Sequence, residues 1–320
     1  MNNTEKKLCE YIDEQTRNNN IDNISRTLAY QQFYLEHQNI KWAYLASMVS
    51  RNAGWNMTDL ETSTFKHLLT ARIRKQLFST YERANWLIFS DAYPQLLLYQ
   101  FSKERNEPLF HLLSKFAVSP FMQKEWFLFW KFKDENRLVT SLIINEQNVI
   151  NNPVTKHPFY KKNVFLAWPY LVQDFFLLNA VVFPTCTDEA FATPVHDFTN
   201  ITKRITLGKR LASILFHPSL YNQFYNFTIS TDHTGSRYDY QQYMSSNQKS
   251  ESPKLRDVYP VIDHQDKIRK DWHQQREVKE GWWEEEHVSL DENQWDKYSR
   301  KQKIIRKVVN WKQIKSSKKN

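Results

Sequence analysis

Residues 58–77 read TDLETSTFKHLLTARIRKQL, and this stretch decides the fold class. Its apolar residues recur at intervals of three and four, which is the spacing of one face of an α-helix. The segment Thr58-Asp59-Leu60-Glu61 has the form of a capping box, in which threonine and glutamate side chains satisfy free N–H groups of the first turn. The pattern therefore predicts a helix that begins at Thr58 and continues to Leu77.

Helical patterns also precede this stretch. Asp22 or Asn23 is suited to cap a helix through residues 24–38, because short polar side chains accept hydrogen bonds from first-turn N–H groups. A second apolar run, Trp42–Val49, stops before Gly54, which stands where a glycine commonly ends a helix. We expect two helices here.

Prolines divide the next part of the chain. Pro94 predicts a kink or break within residues 81–105, since a proline lacks the N–H group that a helix interior needs. Pro108 and Pro120 each open an apolar run, as prolines in a first helical turn do. Residues 136–150 continue the helical pattern.

Glycine is scarce, with four in 320 residues. Tight left-handed turns and phosphate-binding loops depend on glycine, so this composition argues against a β-sandwich and a Rossmann domain. Neither of the two common phosphate-loop motifs is found in the sequence. We therefore predict a mainly α protein: an irregular multi-helix globular bundle with a basic C-terminal helical extension.

Residues 164–184, VFLAWPYLVQDFFLLNAVVFP, are long enough to span a membrane. Pro169 and Asp174 lie inside the run, and an aspartate at mid-span is costly. We predict buried core helices here, flanked by loops at 151–163 and 184–198. A pocket for a hydrophobic ligand, lined by this segment, is a further alternative.

Three regions are predicted. Residues 1–243 form a helical core domain, 244–254 a polar linker or long loop, and 255–320 a basic extension. Five of the eleven tryptophans lie in that extension, and such an aromatic segment is expected to dock on the core.

Positive charge is concentrated in residues 297–320, which we call the basic segment. It holds ten basic residues and no acidic one. The whole chain has a formal net charge of +9, so residues 1–296 carry a net charge of −1. On a helical wheel an apolar face (Ile304, Ile305, Val308, Val309 and Trp311) lies opposite a basic one (Lys303, Arg306 and Lys307). Such a helix suits an anionic partner, either a membrane surface or nucleic acid, or else packs on its own domain. With no apolar leader and two distant cysteines, we expect a cytoplasmic protein, peripheral at the membrane in one alternative.

The strongest candidate site is the segment His233–Tyr240, where polar side chains surround Gly235. His233, Ser236, Arg237 and Asp239 are candidate ligand-binding residues for a small anionic ligand, because a guanidinium and a glycine turn together suit a phosphate or carboxylate. The alternative is a polar loop in which Arg237 pairs with Asp239 or another local acid.

Arg26, Arg51 and Asn52 interrupt otherwise apolar helical patterns and are also candidates for binding a ligand. Buried arginines need partners. They form either internal ion pairs with acids such as Asp59, Glu82 or Asp91, or a cationic pocket between helices.

Motifs of common enzymes are missing from the sequence, including G-x-S-x-G and H-E-x-x-H. Scattered histidines and acids would permit a metal site but share no ligand spacing (His196-Asp197, His217, Asp263-His264 and His273), so we predict no metal and no cofactor. The leading hypothesis is a non-enzymatic binding protein whose basic segment contacts an anionic partner. The alternative is a hydrolase or transferase for an anionic or phosphorylated substrate, acting through Arg51, His233, Arg237 and Asp239; catalytic residues stay unassigned.

Four short runs together resemble the YppC-like family of Bacillus-type Firmicute proteins, which carry a domain of unknown function. They are Asn23–Arg26, Ser50–Leu60, Glu82–Trp86 and His233–Arg237. The resemblance covers most of the chain and implies a bacterial, intracellular protein. It carries no assigned activity, so it adds no catalytic residue.

Overall fold

The computed structural model describes residues 2–157, 180–195, 199–245, 251–264, 272–273, 277–301 and 303–304. These residues confirm a mainly α-helical globular fold. The longer helices are α1 (Asn3–Asn19), α2 (Asn23–Glu36), α3 (Lys41–Asp59), α4 (Ser63–Leu68), α5 (Ala71–Arg105), α6 (Pro120–Phe132), α7 (Glu135–Val149), α8 (Ile201–Leu215) and α9 (Tyr221–Ser230). Two four-residue helices follow, α10 (Tyr238–Gln241) and α11 (Leu255–Val258).

The capping box predicted at Thr58 is wrong. Thr58 lies buried in the last turn of α3, where its hydroxyl donates to the carbonyl oxygens of Trp55 and Gly235. The hydroxyls of Thr62 and Thr70 cap α4 and α5 instead. Residues 58–77 therefore belong to three helices, α3, α4 and α5, and not to one. Their apolar side chains keep a helical spacing because they pack into the same core cluster.

Gly54 does not end a helix, since α3 continues to Asp59. Pro94 does not divide the chain either, because α5 runs unbroken through it for 35 residues. The proline removes one backbone hydrogen bond, and α1, α2, α3 and α7 pack along α5 and support it. The helix expected at Pro108 is a 3-10 helix, Phe110–Phe116, whereas Pro120 opens α6 as predicted.

A small antiparallel hairpin corrects two further predictions. Residues 180–184 were expected to be helical and 190–194 to lie in a loop, but Ala180–Pro184 (β1) pairs with Ala190–Pro194 (β2). Every residue of β1 is buried. This short run of branched and aromatic side chains suits a buried strand as well as a helix, and periodicity cannot separate the two. Residues 164–179 lie outside the described residues, and so does most of the predicted ligand-pocket lining.

The main core lies where α2 and α3 pack against α5, α6 and α7. It is aromatic, and its largest wholly buried side chains include Trp42, Tyr44, Phe89 and Trp126. Within the described ranges, no helix is both long and apolar enough to cross a membrane.

Candidate functional site

The seven candidate residues are all buried. Each exposes at most 4% of its surface, and the residues are Arg26, Arg51, Asn52, His233, Ser236, Arg237 and Asp239. Three of them lie on the turn between α9 and α10, and Asp239 follows in α10; this region packs on α3. We call residues 231–240 the polar turn.

Gly54 lets the polar turn approach α3 closely. A Cβ atom at this position would lie 2.3 Å from Asn23 Oδ1 and 3.0 Å from the His233 ring. The glycine is therefore needed for close approach within a helix and not for a turn. The Asn23 amide in turn donates to the Ser50 carbonyl oxygen over 2.8 Å.

His233 and Asp239 form the centre of the polar turn. His233 Nε2 lies 2.9 Å from Asn23 Oδ1, and its Nδ1 lies 3.3 Å from Asp239 Oδ2. The Asp239 carboxylate also accepts from the Trp55 indole over 3.0 Å and from the Thr234 amide over 3.1 Å. Burial raises the pKa of Asp239, but these partners outweigh it and hold the pKa below its ordinary value. Burial is also the largest influence on the pKa of His233, which it lowers.

Arg51 lies beside this centre. Its guanidinium donates to the Thr231 and Thr228 carbonyl oxygens over 3.1 and 3.3 Å and to Gln31 Oε1 over 2.8 Å. The ion pair proposed for it from the sequence is not found in the described part of the chain, and burial lowers its pKa to about 10. The Arg51 guanidinium is therefore bound by neutral oxygen acceptors and not by the acidic side chain that the sequence suggested.

Arg237 is the residue that pairs with Asp59, over 2.8 Å from Nε to Oδ2. Its other nitrogens donate to Tyr240 Oη over 3.0 Å and to Asn56 Oδ1 over 2.8 Å. Burial alone would lower the pKa of Arg237, but the Asp59 charge raises it above its ordinary value. Ser236 donates to the Ser252 carbonyl oxygen over 2.6 Å, which joins the turn to the chain ahead of α11.

Arg26 lies apart from the polar turn, between α2 and α5. It donates to Glu82 and, over 3.0 Å, to Asn20 Oδ1, while His264 Nε2 lies 3.3 Å from the other Glu82 oxygen. Glu82 lines a pocket of about 280 Å³ together with residues 21–22, Phe78, residues 255–256 and residues 259–262. None of the four residues of the hydrolase hypothesis lines this pocket.

Asn52 faces the hairpin. Its amide donates to the Val182 carbonyl oxygen over 2.9 Å, and its Oδ1 accepts from the Val182 N–H over 2.7 Å. This residue therefore holds β1 against α3 as a strand partner would.

The polar turn also supports the start of the basic segment. Residues 293–294 join the edge of β2, where the Asn293 side chain bonds the N–H of Ala192 and the carbonyl oxygen of Ala190, each over 3.0 Å. The following residues are helical, and Trp295 packs edge-on against Tyr240. The Tyr298 ring lies 5.9 Å from the Arg237 guanidinium carbon.

Among the described residues, no group of three or more His, Cys, Asp or Glu side chains is placed to hold a metal ion. His196 and Asp197, two of the scattered histidines and acids of the sequence, lie outside the described residues.

A family described as "Protein of unknown function (DUF2515)" matches residues 18–303 of this chain. The chain belongs to this family. An uncharacterised relative, YppC of Bacillus subtilis (strain 168), is 49% identical over 268 residues, which cover 83% of each protein. No solved structure matches. All four runs that carried the resemblance fall within the DUF2515 match.

Sequence reasoning found the polar turn but missed the residues opposite it on α2 and α3. Asn23, Trp55 and Asp59 supply its partners, from about 180 to 210 positions away. Gly54 was the available signal, since a glycine between helical residues in a glycine-poor chain indicates a close approach.

Proposed function

We propose that this protein is a non-enzymatic binding protein that contacts an anionic lipid surface through its basic segment. The observation that carries the proposal is the way the segment begins. Tyr298 is 7% exposed and packs on the body, whereas the four basic side chains around it are exposed: Lys297, Arg300, Lys301 and Lys303. Because the buried Tyr298 fixes the start of the basic segment on the body, the exposed basic side chains around it present positive charge to solvent at a defined position.

The apolar residues of the basic segment favour lipid over nucleic acid. Ile304 is 59% exposed, and the sequence beyond it alternates aliphatic and basic residues through Trp311. Phosphate backbones need only the cations, whereas a membrane interface takes up both cations and apolar side chains. Residues 305–320 lie outside the described residues.

The hydrolase or transferase alternative draws no support from the placement of its residues. Arg51, His233, Arg237 and Asp239 are buried and bonded to groups of the protein itself. A substrate would have to displace these bonds to reach them, and each lost partner would leave a buried polar group unsatisfied.

Vesicle co-sedimentation tests the proposal. In the test variant, four basic residues are changed to glutamine: Lys297, Arg300, Lys301 and Lys303. In the control variant, four exposed basic residues elsewhere are changed to glutamine: Lys7, Arg72, Lys75 and Lys103. Vesicles of phosphatidylcholine with about 30% phosphatidylglycerol are expected to bind the first variant at least about tenfold more weakly than the second. Equal losses would show that only overall charge matters and would overturn the proposal.

Duplex and single-stranded oligonucleotides are tested in parallel. Binding to either that exceeds vesicle binding and depends on the same four residues would replace the lipid surface with nucleic acid.

A further inference from the structure

The last two turns of α6 present aromatic rings to solvent. Phe132 is 63% exposed and Phe127 is 41% exposed, while the partly buried Trp130 lies between them on the same helix. Lys131 and Lys133 complete what we call the aromatic–lysine tip, which consists of these five residues.

The lysines of the tip lie directly over its rings. Lys133 Nζ is 4.2 Å from the Trp130 ring centroid, and Lys131 Nζ is 5.0 Å from that of Phe132. These distances are within the range of cation–π contacts. One face of each ring is therefore occupied by an ammonium group, which hinders the stacking of a nucleic acid base on that face.

Acidic residues near the tip are already engaged. Glu125 pairs with Arg137 over 2.7 Å, and Glu135 pairs with Lys41 over 3.0 Å. The Asp134 carboxylate accepts from the backbone N–H of Arg137 and caps α7. Exposed Lys124 adds to the positive charge on α6. In the described part of the chain, neither Lys131 nor Lys133 pairs with an acidic residue, so the tip combines exposed rings with positive charge that complements an anionic interface.

We infer that the aromatic–lysine tip is a second lipid-contacting site, in which Phe132 enters the interface while Lys131 and Lys133 meet anionic headgroups. Aromatic rings favour the headgroup level of a bilayer, and lysine side chains place an apolar stem beside lipid and an ammonium group in water. The inference rests on the proposed function for the nature of the surface, but it uses different residues.

The test uses the full chain and the same anionic vesicles. Phe132→Ser is expected to weaken vesicle binding about tenfold, because it removes an exposed ring that lipid would bury. Phe132→Leu keeps an apolar side chain and is expected to retain most of the binding. Ile229→Ser, at a 52% exposed position on α9, is the matched control and is expected to bind as the unchanged chain does. Unfolding midpoints of all three variants check that the fold is intact.

The outcomes separate the two sites. If Phe132→Ser binds as tightly as the control, the tip is not a lipid contact, whatever the basic segment does. If Phe132→Ser loses binding while neutralisation of the basic segment does not, the tip stands and the proposed function fails. If the unchanged chain does not bind anionic vesicles, both fail. Loss of oligonucleotide binding in place of vesicle binding would also overturn the inference.

Discussion

Arg237 and Asp59 form a buried ion pair that joins the polar turn to α3. Removal of one partner from such a pair leaves an uncompensated charge, which costs about 3–5 kcal/mol of unfolding free energy. We expect Arg237→Ala to lose that much in urea unfolding, and the double change with Asp59→Ala to lose less than the sum of the two single changes. Arg72→Ala, at an exposed position, is the control. A loss below about 1 kcal/mol would contradict the assigned role.

The close packing around Gly54 predicts the effect of a substitution at this position. An alanine there gains helix propensity of about 1 kcal/mol but places its Cβ against Asn23 and His233. We expect Gly54→Ala to destabilise the protein by about 1–3 kcal/mol, the usual cost of overpacking. At Gly281 the nearest atom to an added Cβ is 3.7 Å away, so Gly281→Ala is expected to be close to neutral. Equal unfolding midpoints for the two variants would count against the close approach.

Residue types alone identified the polar turn but not what it does. The presence of His233, Arg237 and Asp239 around Gly235 is visible in the sequence, and so is the alternative of a polar loop. The hydrogen-bond partners of these three residues depend on how α2 and α3 pack against the turn. No local pattern records which distant acid, amide or carbonyl oxygen comes within hydrogen-bonding distance.

At the scale of the element, α3 and α7 meet at Glu146. Its carboxylate accepts from the Trp42 indole over 3.0 Å and from the Gln147 amide over 2.9 Å. In the described part of the chain, no lysine or arginine pairs with it. Burial raises its pKa from an ordinary 4.5 to about 7.

This raised pKa predicts a pH dependence. The folded protein holds the Glu146 proton more tightly than the unfolded chain does, so the associated stability is full below about pH 4.5 and is lost as pH rises through about 7. Glu146→Gln keeps an acceptor for Trp42 and carries no charge. We expect it to be more stable than the unchanged protein by about 1–3 kcal/mol at pH 8, with little difference at pH 4.

Urea unfolding across this pH range measures the effect, with Glu14→Gln on the exposed face of α1 as the control. If Glu146→Gln shows the same difference at both pH values, the carboxylate is not the titrating group.

Two helix starts were predicted well from a single local residue. Asp22 caps α2 and Pro120 opens α6, as the sequence indicates. Prediction failed where several signals overlap: Thr58, Thr62 and Thr70 all precede helical residues, and only tertiary contacts decide which hydroxyls cap. The hairpin was missed because five buried residues in a row are too few to distinguish a strand from a helix.

At the scale of the whole molecule, the described structure links the polar turn to the basic segment. The turn holds Tyr240 and Arg237 in place, and these side chains contact Trp295 and Tyr298. Under the proposed function, the polar turn acts indirectly, by fixing the position from which the positive charge leaves the body. The charge segregation was visible in the sequence, whereas this support beneath it was not.

The most direct test of this account measures how the full chain partitions onto vesicles as salt is varied. Binding to anionic vesicles is expected at about 0.05 M salt and is expected to fall steeply by about 0.5 M, because screening weakens the attraction between lysines and headgroups. Neutral phosphatidylcholine vesicles are expected to bind weakly at every salt concentration. Equal binding to both kinds of vesicle, or no binding to either, would contradict the claim that this protein contacts an anionic lipid surface.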